Sequence, residues 1–394
     1  MLSFRSFLSE SIVTKQLKHL EHAEDHPINA GAEGFDHAVG TLNEVHKALK
    51  GEPSEATITT KYDGAPSIIF GRHPKTGVFF VSSKSLFNKE PKINTSFEDI
   101  DRNHGDSPGL AAKLKEALTH LPKIAPMRGV FQGDLMYTRD DLQEKDGKYS
   151  FTPNTITYST PVNSKQGKKI AQAKLGVVVH TRYKGSDLNN LEAEFGPSLK
   201  SFGNHTDVHL VDPRAKINPA LHGTDQQAAF EKAIKSAEMA HEQHDYDHLE
   251  PHRENFKTYI NSTVRTGEIP TVEGFKQHVA AKFEKKASKL KTQKAQAATM
   301  QEAEAALGNI DENSVKFRTT FRIHKALQDA KNALLPALDA NQEFEHTING
   351  EPTTPEGHVA IIGGNMPTKL VNRGTGGFAQ ANLTTGRFQR QAGP

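Results

Sequence analysis

The segment Thr59-Thr60-Lys61-Tyr62-Asp63-Gly64-Ala65-Pro66-Ser67 sets a lysine, an aspartate and a glycine on a polar loop directly after a β-branched run. A lysine amine becomes a nucleophile only when it is deprotonated, which burial or neighbouring positive charge achieves by lowering its pKa. Gly64 lets the backbone approach a ligand closely, and Asp63 offers an acceptor for a ribose hydroxyl or a metal-bound water. Taken alone, the four-residue pattern reads more simply as an ordinary Asp-Gly turn with an exposed lysine. The chain has no cysteine, so disulfides, thiolate zinc sites and cysteine nucleophiles are excluded, and nucleophiles must be Lys, Ser or Thr.

The elements that would hold these residues alternate in type along 394 residues, enough chain for two or three domains. Phe35, Val39, Leu42 and Val45 recur at helical spacing over 34–49, with Gly51 and Pro53 closing that helix. Short β-branched or aromatic runs at 56–60, 67–70, 78–82, 129–131, 156–158 and 175–180 read as strands, interrupted by a helix over 109–121. From about Asp225 to Ala340 the composition turns to Ala, Glu, Lys and Gln with helical spacing. Phe275, Val279 and Phe283, then Phe317, Phe321 and Leu327, form buried faces there, and Pro251, Pro270 and Pro336 mark boundaries. Strand signals return at 358–362 and 369–371. The simplest organisation is a helical domain inserted into an α/β domain whose last strands are C-terminal.

Four further stretches follow Lys61-Tyr62-Asp63-Gly64 in a recognisable order. Ser83-Lys84 ends a strand pair, Phe131-Gln132-Gly133-Asp134-Leu135 ends a strand on an aromatic-x-Gly-acidic pattern, Pro355-Glu356-Gly357-His358-Val359-Ala360 opens one with Glu-Gly, and Lys369-Leu370-Val371-Asn372-Arg373 comes last. Together they resemble motifs I, Ia, III, IV and V of the covalent nucleotidyltransferases, that is, ATP-dependent DNA ligases, RNA ligases and mRNA capping enzymes. The resemblance covers roughly 56–185 and 350–375. It implies an α+β fold, a nucleotidyltransferase (ATP-grasp-like ligase) adenylation domain of antiparallel sheets with helices, interrupted by an inserted helical domain. The segments would be 1–55 (N-terminal helical), 56–224 (nucleotidyltransferase), 225–345 (inserted helices) and 346–394 (C-terminal strands completing the first domain).

The resemblance also implies roles. Lys61 would attack the α-phosphate of ATP and hold AMP as a phosphoramidate, with Lys369 on the same phosphate. Asp63, Gly64, Lys84, Phe131 and Asp134 would line the nucleotide site, and Glu356 with Asp134 would hold Mg²⁺, or Mn²⁺ in its place. The sequence departs from the pattern in three places: Asp134 stands where Glu is usual, Val371 stands where a second lysine is usual, with Arg373 supplying the charge, and the aromatic-Asp-hydrophobic pattern is absent from 175–183. His180 and Tyr183 are then the candidates for stacking on adenine. Such a set meets the demands of adenylyl transfer: a cationic clamp on phosphate, a metal, and a neutral amine in line with phosphorus.

The roughly 20 residues after Arg373 are too few for the OB domain of DNA ligases. The implied enzyme is therefore an ATP-dependent polynucleotide ligase, of RNA in preference to DNA, joining 5′-phosphate to 3′-hydroxyl ends, with the helical block clamping substrate. Two alternatives stand beside it: a nucleic-acid-binding protein that keeps the fold without turnover inside a virion, and an AMP transferase with another acceptor. Met1 to Ser11 carries Phe4, Phe7 and Leu8 at helical spacing, a short docking helix that also resembles the capsid-targeting tags of tailed-phage head proteins, cut after Leu8-Ser9-Glu10. That resemblance places the chain in the cytoplasm of an infected host, with the phage capsid interior as a partner through residues 1–10. No apolar run approaches 18 residues and no secretory signal opens the chain, so no membrane span is expected.

Lys plus Arg (49) nearly balance Asp plus Glu (47), so any nucleic-acid surface must be local. Lys282, Lys285, Lys286, Lys289, Lys291 and Lys294 are either a soluble helix face or such a surface. The run His241, His244, His248 and His252 reads as a solvated acidic helix in preference to a metal site, and the glycine-rich 374–378 as a turn.

Overall fold

The computed structural model describes residues 20–363, 366–374 and 378–385. The expected docking helix over 1–11, the Leu8-Ser9-Glu10 sequence and most of the 374–378 loop lie outside them. In chain order the described elements are β1 (Glu21–His22), α1 (His26–Leu49), β2 (Ala56–Lys61), β3 (Ser67–Arg72), β4 (Phe79–Ser82), α2 (Phe97–His104), α3 (Pro108–His120), β5 (Val130–Thr138), β6 (Gln143–Lys145), β7 (Lys148–Phe151), β8 (Thr157–Pro161), α4 (Lys165–Gln172), β9 (Leu175–Lys184), β10 (Glu192–Phe195) and β11 (Val208–Val211). The chain continues through α5 (Thr224–His241), α6 (Arg253–Thr266), α7 (Val272–Ser288), α8 (Gln293–Glu312), α9 (Ser314–Asp339), β12 (Glu345–Ile348), β13 (Glu351–Pro352), β14 (Gly357–Ile362), β15 (Thr368–Leu370) and α10 (Phe378–Thr385). The class is α+β. Among the described residues no helix is long and apolar enough to cross a membrane.

Two compact units divide these elements. The first takes 55–216 and 341–367, and its main sheet has the order β10-β9-β5-β3-β4, with β11 parallel to β9. Strand β5 lies antiparallel between β3 and β9. Its alternation sends Phe131 and Leu135 into a core shared with Ile68, Phe70, Val177 and Val179 and with Ile100 of α2 and Leu114 and Ala117 of α3. The opposite face gathers Val130, Ile69, Phe80 and Tyr183. A second sheet runs β13-β12-β8-β7-β6, and β2 pairs antiparallel with β14. Two tight hairpins in the second sheet turn on Asp146-Gly147 and Asn349-Gly350, all four residues at positive φ (52°, 71°, 54° and 88°), as two-residue turns between twisted strands require.

The second unit takes 21–54, 217–340 and 368 onward, so the C-terminal strand β15 and the N-terminal helix belong with the helical block. Helix α9 packs on α1 and α5 and buries Phe317, Phe321, Ile323, Leu327, Leu334 and Leu338. It runs through Pro336, which was expected to end it. Helix α1 begins before the expected Gly34, but Ala30 and Gly31 break its geometry, with Gly31 at φ 58°. Strands β1 and β15 pair in parallel, Glu21 opposite Thr368 and His22 opposite Lys369.

The histidine run differs from its expectation. Helix α5 ends at His241, and the later histidines turn inward. His244 and His248 place their Nε2 atoms 3.0 and 3.1 Å from the Thr320 hydroxyl, and His252 Nε2 lies 3.0 Å from Asn309 Oδ1. Rings of His248 and His252 pack on Phe317. Burial lowers the pKa of all three, so these are neutral packing residues, neither a solvated face nor a metal site.

Candidate functional site

Lys61 is the last residue of β2, and in the antiparallel register it stands opposite Gly357, the first residue of β14. Glu356, one step before, therefore meets its side chain. Lys61 Nζ donates to Glu356 Oε1 at 2.5 Å, across 295 residues of sequence. Gly357 sits at φ 145°, which L side chains rarely adopt, so the glycine of the Glu-Gly pair is a backbone requirement. The other edge of β2 is held by the segment after β11, through Thr60 N–H to Pro213 O at 2.6 Å and Ala215 N–H to Ile58 O at 2.9 Å.

The loop after Lys61 lies directly on β5. Ala65 N–H donates to Leu135 O at 3.0 Å and Leu135 N–H to Pro66 O at 3.1 Å. A Cβ on Gly64 would stand 2.6 Å from Asp134 Cβ, 3.2 Å from Leu135 O and 3.3 Å from Met136 Sδ. The missing side chain is what brings Asp134 to the lysine. Gly64→Ala should cost about 1–3 kcal/mol through this overpacking, read as a lower urea midpoint at unchanged slope. An unchanged midpoint would mean that the loop does not rest on β5.

Asp134 shares a rung with Ser67 of β3, and His180 Nε2 lies 3.5 Å from its Oδ2. His180 occupies an irregularity in β9: Gly133 pairs with Val179 but Gln132 with Thr181, leaving His180 as the extra residue. Burial opposes ionisation of Asp134, but His180, Lys61 and a hydrogen bond from Ser67 outweigh it and hold the carboxyl below its usual range. Behind it, Tyr183 Oη–H donates to Gln132 Oε1 at 2.6 Å and Gln132 Nε2 donates to Ser67 Oγ at 3.0 Å.

Electrostatics at Lys61 run opposite to the expectation of a lowered pKa. Burial does push it down, but the charge of Glu356, with Asp134 and Asp63 behind it, raises it above the ordinary lysine value. Glu356 is raised by burial, an effect that Lys61 partly offsets. The side chains are only 28% and 16% exposed, so solvent screens the pair weakly. The resting amine is an ammonium.

Asp63 was expected to stand open to a ligand. Instead its Oδ1 accepts from Asn154 Nδ2 at 2.7 Å, and its Oδ2 from the backbone N–H groups of Thr155 and Ile156 at 2.7 and 2.9 Å. Its own N–H donates to Tyr158 Oη at 2.7 Å. The carboxylate clamps the 154–156 loop and fixes the backbone two residues from Lys61. Phe131 is likewise corrected: its ring faces the core, centroids 6.1 Å from Phe70 and 4.8 Å from Phe202, on the opposite side of β5 from Asp134. Tyr183, the other stacking candidate, is buried and spends its hydroxyl on Gln132. Lys84 is exposed just past β4. It opens the short 3-10 turn Lys84–Phe87 that follows the strand.

Lys369 and Arg373 belong to the second unit. Arg373 does not stand open for phosphate. Its guanidinium bonds both Asp25 oxygens at 2.9 Å and Asn261 Oδ1 at 2.8 Å. Glu24, fully buried, takes Lys331 Nζ at 2.6 Å. These ion pairs fasten the segment after β15 to the helices. Gln132, Ser67, Asn154 and Tyr158 escaped the sequence reading, although period-two alternation along Phe131-Gln132-Gly133-Asp134-Leu135 already sets Gln132 beside Asp134 and apart from Phe131.

Lys61, Glu356, Asp134, Gly64 and His180 are thus brought together by β2, β14, β5 and β9. Among the described residues no group of three or more His, Asp or Glu side chains is arranged to hold a metal. Mg²⁺ is commonly bound by one or two carboxylates together with substrate phosphates, so the oxygen pair Asp134 and Glu356 fits that ion in donor type. The chain belongs to the family of unknown function DUF6267, whose family model matches residues 17–387. No curated protein and no solved structure matches it.

Proposed function

We propose that this DUF6267 member is an ATP-dependent polynucleotide ligase that works through a lysyl-AMP intermediate on Lys61. The observation that carries the reading is the Lys61–Glu356 pair: two short motifs far apart in sequence become neighbours at facing strand ends, with Asp134 of a third motif acting on the same amine. Mg²⁺, when bound by Glu356 and Asp134, would offset charge on the phosphates. The chain's own part is to hold the amine and release its proton. Lys61 must pass that proton on before it attacks, and Glu356, hydrogen-bonded to it and raised by burial, is the adjacent acceptor. A P–N bond then forms at the α-phosphorus as the P–O bond to pyrophosphate breaks. AMP passes from Lys61 to a 5′-phosphate end, and a 3′-hydroxyl displaces it to close the strand.

Incubating the purified chain with α-labelled ATP and Mg²⁺, followed by denaturing electrophoresis, tests the reading. A protein-bound label that survives alkali and is lost in mild acid is the expected phosphoramidate. No label with either Mg²⁺ or Mn²⁺ would end the proposal. Nicked DNA, nicked RNA and 5′-phosphorylated single-stranded RNA offered to the labelled protein identify the substrate, with RNA expected to be joined. Label without joining of any of them would move the reading to AMP transfer onto another acceptor.

A further inference from the structure

Helices α7 and α8 form a hairpin of the second unit whose connection, 289–292, and flanking turns are densely basic. Between 282 and 301 lie six lysines, Lys282, Lys285, Lys286, Lys289, Lys291 and Lys294, against one acidic residue, Glu284, a local charge of 6 − 1 = +5. The rest of the chain carries 43 basic and 46 acidic residues, a net of −3. All six side chains are exposed.

A merely soluble face would interleave opposite charges. Elsewhere in this unit Lys276, Lys316 and Lys325 are matched to Asp311, Asp245 and Asp329. At the hairpin tip only Lys286 has an acidic partner, Glu302, at 2.9 Å. Lys285, Lys289, Lys291 and Lys294 have none among the described residues. Like charges stand at i,i+4 in Lys282/Lys286 and Lys285/Lys289, a spacing that destabilises a helix. The C-terminal dipole of α7 rewards Lys285 and Lys286, but Lys294 sits in the first turn of α8, which has no acidic residue and where a cation is disfavoured. Fold stability therefore does not account for the cluster. An external polyanion does, and the exposed Gln293 and Thr292, whose hydroxyl accepts from Ala295 N–H and keeps its own proton to donate, add neutral groups able to bond phosphate oxygens.

We infer that the tip of the α7–α8 hairpin is a docking surface for the phosphate backbone of a single-stranded polynucleotide. The inference deepens the ligase reading by naming where the helical unit holds its strand, and it rests on that reading for the choice of polynucleotide over acidic protein. Recognition here is by charge and independent of base sequence.

The test measures anisotropy of a fluorescent 5′-phosphorylated single-stranded RNA of about 24 nucleotides over a salt series, using the full chain without ATP. A variant with Lys285, Lys289, Lys291 and Lys294 each changed to Gln should lose about 3 units from the slope of log affinity against log salt, at roughly 0.7 per phosphate contact. Lys61 labelling should be unchanged. A charge-matched control, Lys145, Lys200, Lys232 and Lys235 changed to Gln, should keep the wild-type slope. An unaltered slope in the hairpin variant, an equal loss in the control, or competition by polyglutamate as strong as by unlabelled RNA would each overturn the inference. Because binding is read without nucleotide, failure of Lys61 to label leaves this result independent, and failure here leaves the adenylylation reading standing.

Discussion

Lys61→Ala and Lys61→Arg should both carry no covalently bound nucleotide, a loss of more than about 10³-fold, and Glu356→Gln should lose about 10²–10³-fold. The three fail for different reasons. Alanine removes the nucleophile. Arginine keeps the charge that pairs with Glu356, but a guanidinium is not deprotonated in proteins and so cannot attack. Glutamine at 356 keeps the shape and removes the largest charge that raises Lys61, so burial, opposed only by the weaker pull of Asp134 and Asp63, moves the amine down. Its Lys61 should therefore react faster than the wild-type residue with a reagent selective for neutral amines near pH 8, located by peptide mapping, while nucleotide transfer collapses. That opposition separates a residue acting on the amine from one that merely holds the fold. Wild-type labelling in Glu356→Gln would remove Glu356 from the chemistry, and unchanged amine reactivity would mean that the ion pair does not form in solution.

The sequence made legible what rests on short range. Strands at 56–61, 67–72 and 357–362 and the helix at 108–120 follow from β-branched runs, helical periodicity and flanking Gly or Pro, and the structure has them within a few residues. The ends of β2 and β14 were found from residue types alone, but their adjacency is a matter of register, which no local pattern contains. Sequence reasoning failed where a polar side chain could be satisfied internally or by a ligand. Asp63 looks like an open acceptor until Asn154, Thr155 and Ile156 arrive from 91–93 residues away. Arg373 looks like a phosphate clamp until Asp25 is folded against it. Strands β6 and β12 were missed because Gln143-Glu144-Lys145 and Glu345-His346-Thr347 lack apolar alternation, even though Asp146-Gly147 and Asn349-Gly350 are strong hairpin turns. Pro336 does not end α9: the helix runs on to Asp339 although residue 336 has no N–H to donate to the carbonyl four residues before it.

The helical unit should lose stability steeply as pH falls from 6.5 towards 5, because it folds around imidazoles that must stay neutral. His26 and His37 both direct Nε2 at the Thr368 hydroxyl, at 3.0 and 3.1 Å, with ring centroids 4.6 Å apart. Burial depresses His26 to about 3 and His37 to about 4. His248, also driven by burial, is at about 4. A folded pKa below the unfolded value of about 6.5 stabilises fully above 6.5 and loses that contribution as pH drops through the interval. At pH 5 each such group forfeits about 2 kcal/mol, so the three together forfeit about 6, comparable to the whole stability of an ordinary domain. Asp25 and Glu24, held low against Arg373 and Lys331, lose their contributions only at lower pH, Glu24 as pH approaches about 2. In the first unit His209, depressed to about 3 by burial, adds one similar increment. Urea midpoints followed by helical circular dichroism at pH 7, 6 and 5 should fall by about 2 M across the series, at a slope of about 3 kcal/mol per M. His248→Asn should flatten that fall by about a third of its depth. Midpoints that stay level down to pH 5 would mean these rings ionise freely, and that their packing against Thr368 and Thr320 does not survive in solution.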